Sequence, residues 1–111
     1  MHNHSVVLCV HRASDRIRER QWLEMLAIAT DTLEVSEDVR SIATDLYLSA
    51  IPHEDRSKPA LLAASCYTAC LIAGEERSQS AVAQAFGVSR LSVQSRWKHQ
   101  LESVGLTPPN W

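Results

Sequence analysis

"AVAQAFGVSRLSVQSRWKHQL", residues 81–101, is the stretch on which the fold turns. Gly87 stands between Phe86 and Val88, and Ser89 opens a new helical period two residues on. A chain that reverses sharply between two helices needs a residue that takes positive φ at little cost, and glycine does so. Ala83, four residues earlier, is small enough to let a crossing helix approach. Val82, Phe86, Val88 and Val93 supply apolar contacts that fix the crossing. Beyond the turn, Val93, Trp97, Leu101 and Val104 recur at helical spacing, so they share one face that must be buried. The outward surface is then Ser89, Arg90, Leu91, Gln94, Ser95 and Lys98. The pattern is that of a helix-turn-helix.

Such outward positions reach base edges when the second helix enters a major groove. Arg90 suits two-pronged recognition of guanine, Gln94 of adenine, and Leu91 can touch a thymine methyl. Arg77, Gln79 and Lys98 are placed for backbone phosphates, which orient a protein on DNA without reading sequence. Charge points the same way. Residues 1–76 hold seven Lys and Arg against twelve Asp and Glu, a net of −5. Residues 77–111 hold four against one, a net of +3, with no acidic residue from Arg77 to Leu101. A polyanion would therefore meet the C-terminal third. A net of +3 is modest, so binding alone should be weak and strengthened by a partner or by dimerisation. Helix-turn-helix geometry also occurs in proteins that never touch nucleic acid. These residues leave two readings open, a binder of double-stranded DNA and an adaptor that docks on other proteins.

Upstream, the sequence is helical throughout. At 111 residues and 45% hydrophobic it fits one domain with a real core, and three glycines and four prolines argue against a turn-rich β-fold. "DRIRERQWLEMLAIATDTL" predicts a first helix, capped by Ser14 or Asp15, with Ile17, Trp22, Leu26, Ala29 and Leu33 on its inner stripe. Its arginines, alternating with Glu19 and Glu24, read as a solvated face. "SEDVRSIATDLYLSAI" predicts a second, with Ser36 as cap, Glu37 and Asp38 in the first turn, an apolar face of Val39, Ile42, Ala43, Leu46 and Tyr47, and Pro52 as its stop. "PHEDRSK" is the connecting loop. "PALLAASCYTACLIAG" has no charge from Pro59 to Gly74 and is rich in small residues, which predicts a central helix buried on all sides. Ser78 and Ser89 cap the fourth and fifth helices, and Gly105 with Pro108–Pro109 ends the fold. The expected organisation is an N-terminal tail or short strand over 1–13 ("SVVLCV" is β-prone), an all-α five-helix domain over 14–106, and a tail over 107–111.

Several functions find no residues to carry them. No apolar run reaches the ~18 residues a membrane span needs. Cys9, Cys66 and Cys70 form no disulfide framework, and the expected compartment is the reducing cytoplasm. Cys66 and Cys70, one helical turn apart in an apolar stretch, read as core residues. The spacing of His2, His4, Cys9 and His11 matches no common zinc finger, so no metal and no other cofactor is expected. There is no phosphate-cradling glycine loop, no HExxH and no nucleophile–base pair, so the protein is not expected to be an enzyme.

"VSRLSVQSRWKHQL" resembles the closing helix of the cyclin-like repeats of archaeal transcription factor B and its eukaryotic counterpart. Val88, Ser89, Ser92, Val93, Arg96, Trp97, Lys98 and Leu101 fall on that pattern. Upstream, Ala63, Ala64, Tyr67, Ala69, Cys70, Gly74, Arg77 and Ala83 match the family's central and fourth helices, and "VRSIATDLYLSA" looks like the helix before them. The likeness covers roughly residues 16–106. The ending is most similar to the second repeat, whose helix-turn-helix in the family contacts the promoter element beside the TATA box, together with TATA-binding protein. The family carries two repeats and a zinc ribbon with paired Cys-x-x-Cys that recruits RNA polymerase. This sequence shows one repeat and no such pair. The resemblance therefore implies a nucleoid-associated regulator or accessory initiation factor built on one repeat. Its implied partners are promoter DNA, with TATA-binding protein or RNA polymerase, and a second copy of the chain in place of the missing repeat.

Overall fold

The computed structural model describes residues 17–51, 57–103 and 105. Five helices follow one another, α1 (Arg20–Leu33), α2 (Glu37–Ser49), α3 (Lys58–Ala73), α4 (Gln79–Phe86) and α5 (Arg90–Ser103), with no strand among the described residues. This is the expected all-α architecture. The anticipated terminal strand, the caps at Ser14 and Asp15, Pro52, Val104 and the C-terminal tail lie outside the described residues.

The bundle is built around α3, which packs against all four other helices. Ten consecutive residues of it, Leu61–Cys70, are buried. Its alanines, cysteines and Ser65 are what permit this, because small side chains let four neighbours approach one axis. Pro59 stands in its first turn and Gly74, at φ 74°, closes it in the left-handed conformation. In α2, Ser36 accepts from the Val39 N–H and Glu37 and Asp38 occupy the first turn, as expected. Val39, Ala43, Leu46 and Tyr47 of α2 are buried, and Ile42 packs on the core from its edge. Cys66 and Cys70 are buried within α3. The Cys66 thiol lies far above the usual range because it is hydrogen-bonded to Cys70 and removed from water, which leaves it unreactive.

The first helix departs from expectation at its start. Leu26 and Ala29 are buried as the stripe requires, but Ile17 is 77% exposed. The break lies at Glu19, whose φ −99° and ψ 19° interrupt the helix before Arg20. Glu19 itself is buried rather than solvated. It accepts from the Tyr47 hydroxyl at 2.6 Å and from Lys58 Nζ at 3.1 Å. The Lys58 ammonium also lies 5.8 Å from the Trp22 ring centroid. Charge alternation alone could not show this, because the partners come from α2 and α3. Lys58, assigned by sequence to the loop, is the first residue of α3 and is buried. A buried ion pair of this kind is costly to break from one side, by about 3–5 kcal/mol.

Candidate nucleic-acid interface

The last two helices carry the candidate site. Ser78 caps α4, accepting from the Ala81 N–H at 3.0 Å. Gly87 ends it at φ 69° and ψ 30°. The Val88 N–H donates to Ala83 O at 3.0 Å and the Gly87 N–H to Gln84 O at 3.2 Å, the paired bonds of a Schellman turn. A Cβ on Gly87 would meet nothing within 4 Å. The requirement for glycine is therefore one of backbone conformation, not of space. Ser89 then caps α5, accepting from the Ser92 N–H at 3.2 Å. Each of these roles is where the sequence placed it.

The orientation of α5 is fixed on its inner side. Val93, Trp97 and Leu101 are buried, and Trp97 meets Tyr67 edge-on with ring centroids 5.4 Å apart. Two hydrogen bonds add direction to this apolar contact. The Thr68 hydroxyl of α3, which donates to Ala64 O, also reaches Trp97 O at 3.2 Å. Gln100 Nε2 donates to Ser65 Oγ at 3.1 Å. Sequence reasoning missed Gln100, although its spacing from Val93, Trp97 and Leu101 marks the same face. Its partner on α3 carries no sequence signal.

With that face held, Ser89, Arg90, Leu91, Gln94, Ser95 and Lys98 all lie on the exposed surface. Leu91 is 68% exposed, an apolar side chain left in water on a polar face. Arg90, Gln94 and Lys98 line a recess of about 240 Å³ together with Gln79 and the edge of Trp97. The Lys98 ammonium lies 5.8 Å from the Trp97 ring centroid. Gln79 is half-buried, and its Oε1 is buried with no hydrogen-bond partner. Burial raises the pKa of the neighbouring Tyr67 hydroxyl, while the Gln79 amide opposes that shift. Ser95 is on the other flank of α5. There it borders a recess of about 350 Å³ with Ala50, Leu61, Arg96, His99 and Gln100.

Arg77 does not join this group. Its guanidinium is turned back onto four backbone carbonyls: Nε to Leu33 O at 3.1 Å, Nη2 to Glu34 O at 3.2 Å, and Nη1 to Glu75 O at 3.3 Å and Glu76 O at 3.1 Å. Glu75 beside it accepts from both the backbone N–H and the hydroxyl of Ser36. These two hydrogen bonds hold its carboxyl below the usual range.

A five-helix bundle around a buried central helix, ending in a helix-turn-helix with a basic outer face, defines an all-α, cyclin-like class of protein. The chain matches the family described as "Transcription factor TFIIB repeat" over residues 17–103, and it belongs to that family. It is 34% identical over 82 residues to the "Transcription initiation factor IIB" of Pyrococcus abyssi, covering 71% of this chain and 27% of that relative. Thermococcus kodakarensis "Transcription initiation factor IIB 2" is 30% identical over the same shares. The "Transcription initiation factor IIB" of Haloarcula vallismortis is 29% identical over 77 residues, 67% of this chain and 68% of the relative. The chain thus spans about a quarter of the length of the Pyrococcus and Thermococcus relatives. These relatives are named as initiation factors, not as enzymes. Among the described residues no group of three or more His, Cys, Asp or Glu could hold a metal ion, and no helix is long and apolar enough to cross a membrane.

Proposed function

We propose that the protein is a DNA-binding transcription regulator or accessory initiation factor that engages double-stranded promoter DNA through α5. The observation that supports this is the division of α5 into two faces. Its inner face is locked to α3 by Trp97, Thr68 and Gln100. Its outer face presents cations, an amide, hydroxyls and an exposed leucine, with no acidic residue before Glu102. Arg90 donates in a two-pronged fashion to guanine O6 and N7, Gln94 pairs with adenine N6 and N7, and Leu91 packs on a thymine methyl. Gln79 and Lys98 contact phosphate, and Ser89 and Ser95 contribute hydroxyls at the edges. The protein acts in the nucleoid, where its promoter target lies.

Its proposed companions are TATA-binding protein or RNA polymerase, and a second copy of the chain. One domain offers few phosphate contacts, so a second contact surface multiplies its occupancy of a site. A duplex-selection assay, run with and without TATA-binding protein, tests this reading. Enrichment of a common sequence in either arm supports it, and random recovery in both contradicts it. Light scattering at high concentration tests the second copy, and a strictly monomeric mass removes it.

One observation favours an alternative, an adaptor that docks on the basal transcription machinery without reading DNA. The recess beside Arg96 and His99, walled by Ala50 and Leu61 and bordered by Ser95, is lined by none of the proposed base-reading side chains Arg90, Leu91 and Gln94. Capture of TATA-binding protein or a polymerase subunit, with no DNA affinity at low salt, selects the adaptor.

A further inference from the structure

The bond pattern of Arg77 assigns it a different role from the phosphate contact that its position in the sequence suggests. It immediately precedes Ser78, the cap of α4, and Gln79, which lines the recess beside Arg90 and Gln94. Its Nε and Nη2 reach back to the carbonyls of Leu33 and Glu34 at the end of α1. The last carbonyls of a helix have no intrahelical partner, and a cation there is favoured by the helix dipole. Nη1 holds the carbonyls of Glu75 and Glu76 in the same fork. Two residues earlier, Glu75 grips the backbone and hydroxyl of Ser36, the cap of α2. Glu75 and Arg77 together stitch the α1–α2 corner to the start of α4.

We propose that Arg77 is a positioning residue for the DNA-reading face. It sets the first turn of α4, and so the place of Gln79 relative to Arg90 and Gln94, from the end of α1. This rests on the reading of α5 as the DNA-binding helix. It makes the corner formed by Leu33, Glu34 and Ser36 a control point for that face, since whatever shifts this corner shifts α4 with it. Only a planar, multidonor fork can span four carbonyls in this way. A lysine keeps the charge but not the fork.

That difference supplies the test. Binding to a selected duplex and to a scrambled one is titrated over a range of salt for the wild type, Arg77→Lys, Arg77→Met and Glu75→Ala. A lost phosphate contact lowers the slope of log K against log salt by about one and weakens all sequences alike. A lost positioning residue leaves that slope unchanged and reduces the preference for the selected duplex. The proposal expects the second pattern for both Arg77 variants, about a tenfold loss of preference, and the same direction for Glu75→Ala, which leaves every cation in place. If Arg77→Lys behaves as wild type while Arg77→Met loses slope, Arg77 is a phosphate contact and the proposal is overturned. Hydrogen exchange at the Ala81 and Val82 amides, which bond to Ser78, gives a readout independent of DNA. Faster exchange in Arg77→Lys is expected, and unchanged exchange overturns the proposal. A wild-type chain that binds no duplex at all defeats the DNA reading, and the exchange measurement then decides the role of Arg77 in setting α4 separately.

Discussion

The central helix α3 and the closing helix α5 are nearly equal in length, 16 and 14 residues, and opposite in design. In α3 the residues are apolar or small, uncharged beyond Lys58, and buried without a break from Leu61 to Cys70. In α5 burial is confined to Val93, Trp97, Gln100 and Leu101, and apart from Leu91 the remaining described surface carries polar and charged groups. One helix is surrounded so that the other can be held from one side only. Substitutions on the two should therefore separate cleanly, stability changing with the α3 contacts and recognition with the outer face of α5.

The largest effect is expected where the two helices meet. Trp97→Ala removes the side chain that packs edge-on against Tyr67, and should cost about 3–5 kcal/mol in denaturant unfolding. A similar loss, about 3 kcal/mol or more, is expected for Glu19→Ala, which removes the buried carboxylate that the Tyr47 hydroxyl and Lys58 Nζ both reach. Glu24→Ala, on the exposed side of the same helix, should stay within about 0.5 kcal/mol. If the two glutamates behave alike, the buried cluster does not anchor α1 as described.

The turn between α4 and α5 sharpens the comparison at intermediate size. Gly87→Ala forces an L-residue to φ 69° without any clash, so its cost should be the conformational one alone, about 1–2 kcal/mol. A cost near that of Trp97→Ala would mean that the turn transmits strain into α5.

Smaller still is the acid response of the Ser36–Glu75 link. The folded-state pKa of Glu75 lies below its ordinary value of 4.5. Its contribution is thus fully present above that value and is lost as pH falls through the depressed one. The Ser36 amide should hold its chemical shift down to about that ordinary value and move only in stronger acid. A shift that begins at higher pH would contradict the bond.

Much of this was legible in the sequence, for reasons that differ by residue. Gly87, Ser36, Ser78 and Ser89 act through local backbone geometry, which a few neighbouring residues determine. The burial of α3 follows from a charge-free run of small side chains. The buried roles of Glu19, Lys58 and Gln100, and the bonds of Arg77 to Leu33 and Glu34, carry no local signal because their partners are distant in the chain. Glu19 meets residues 28 and 39 positions away, and Arg77 reaches back 44 positions to Leu33. Local pattern gives the exposed or buried face of an ordinary residue, but a polar group that satisfies another helix breaks the pattern. The six outward residues of α5 were found because they are what remains after the apolar spacing is assigned.

The claim that this outer face reads DNA is tested most directly by one titration. A selected duplex is titrated with the wild type and with Arg90→Ala/Gln94→Ala, with unfolding measured on the same samples. The account predicts unfolding stability within about 0.5 kcal/mol of wild type. It also predicts a loss of about 1–3 kcal/mol of base discrimination for each two-pronged contact removed. A double variant that is equally stable and binds the selected duplex as wild type does would contradict it.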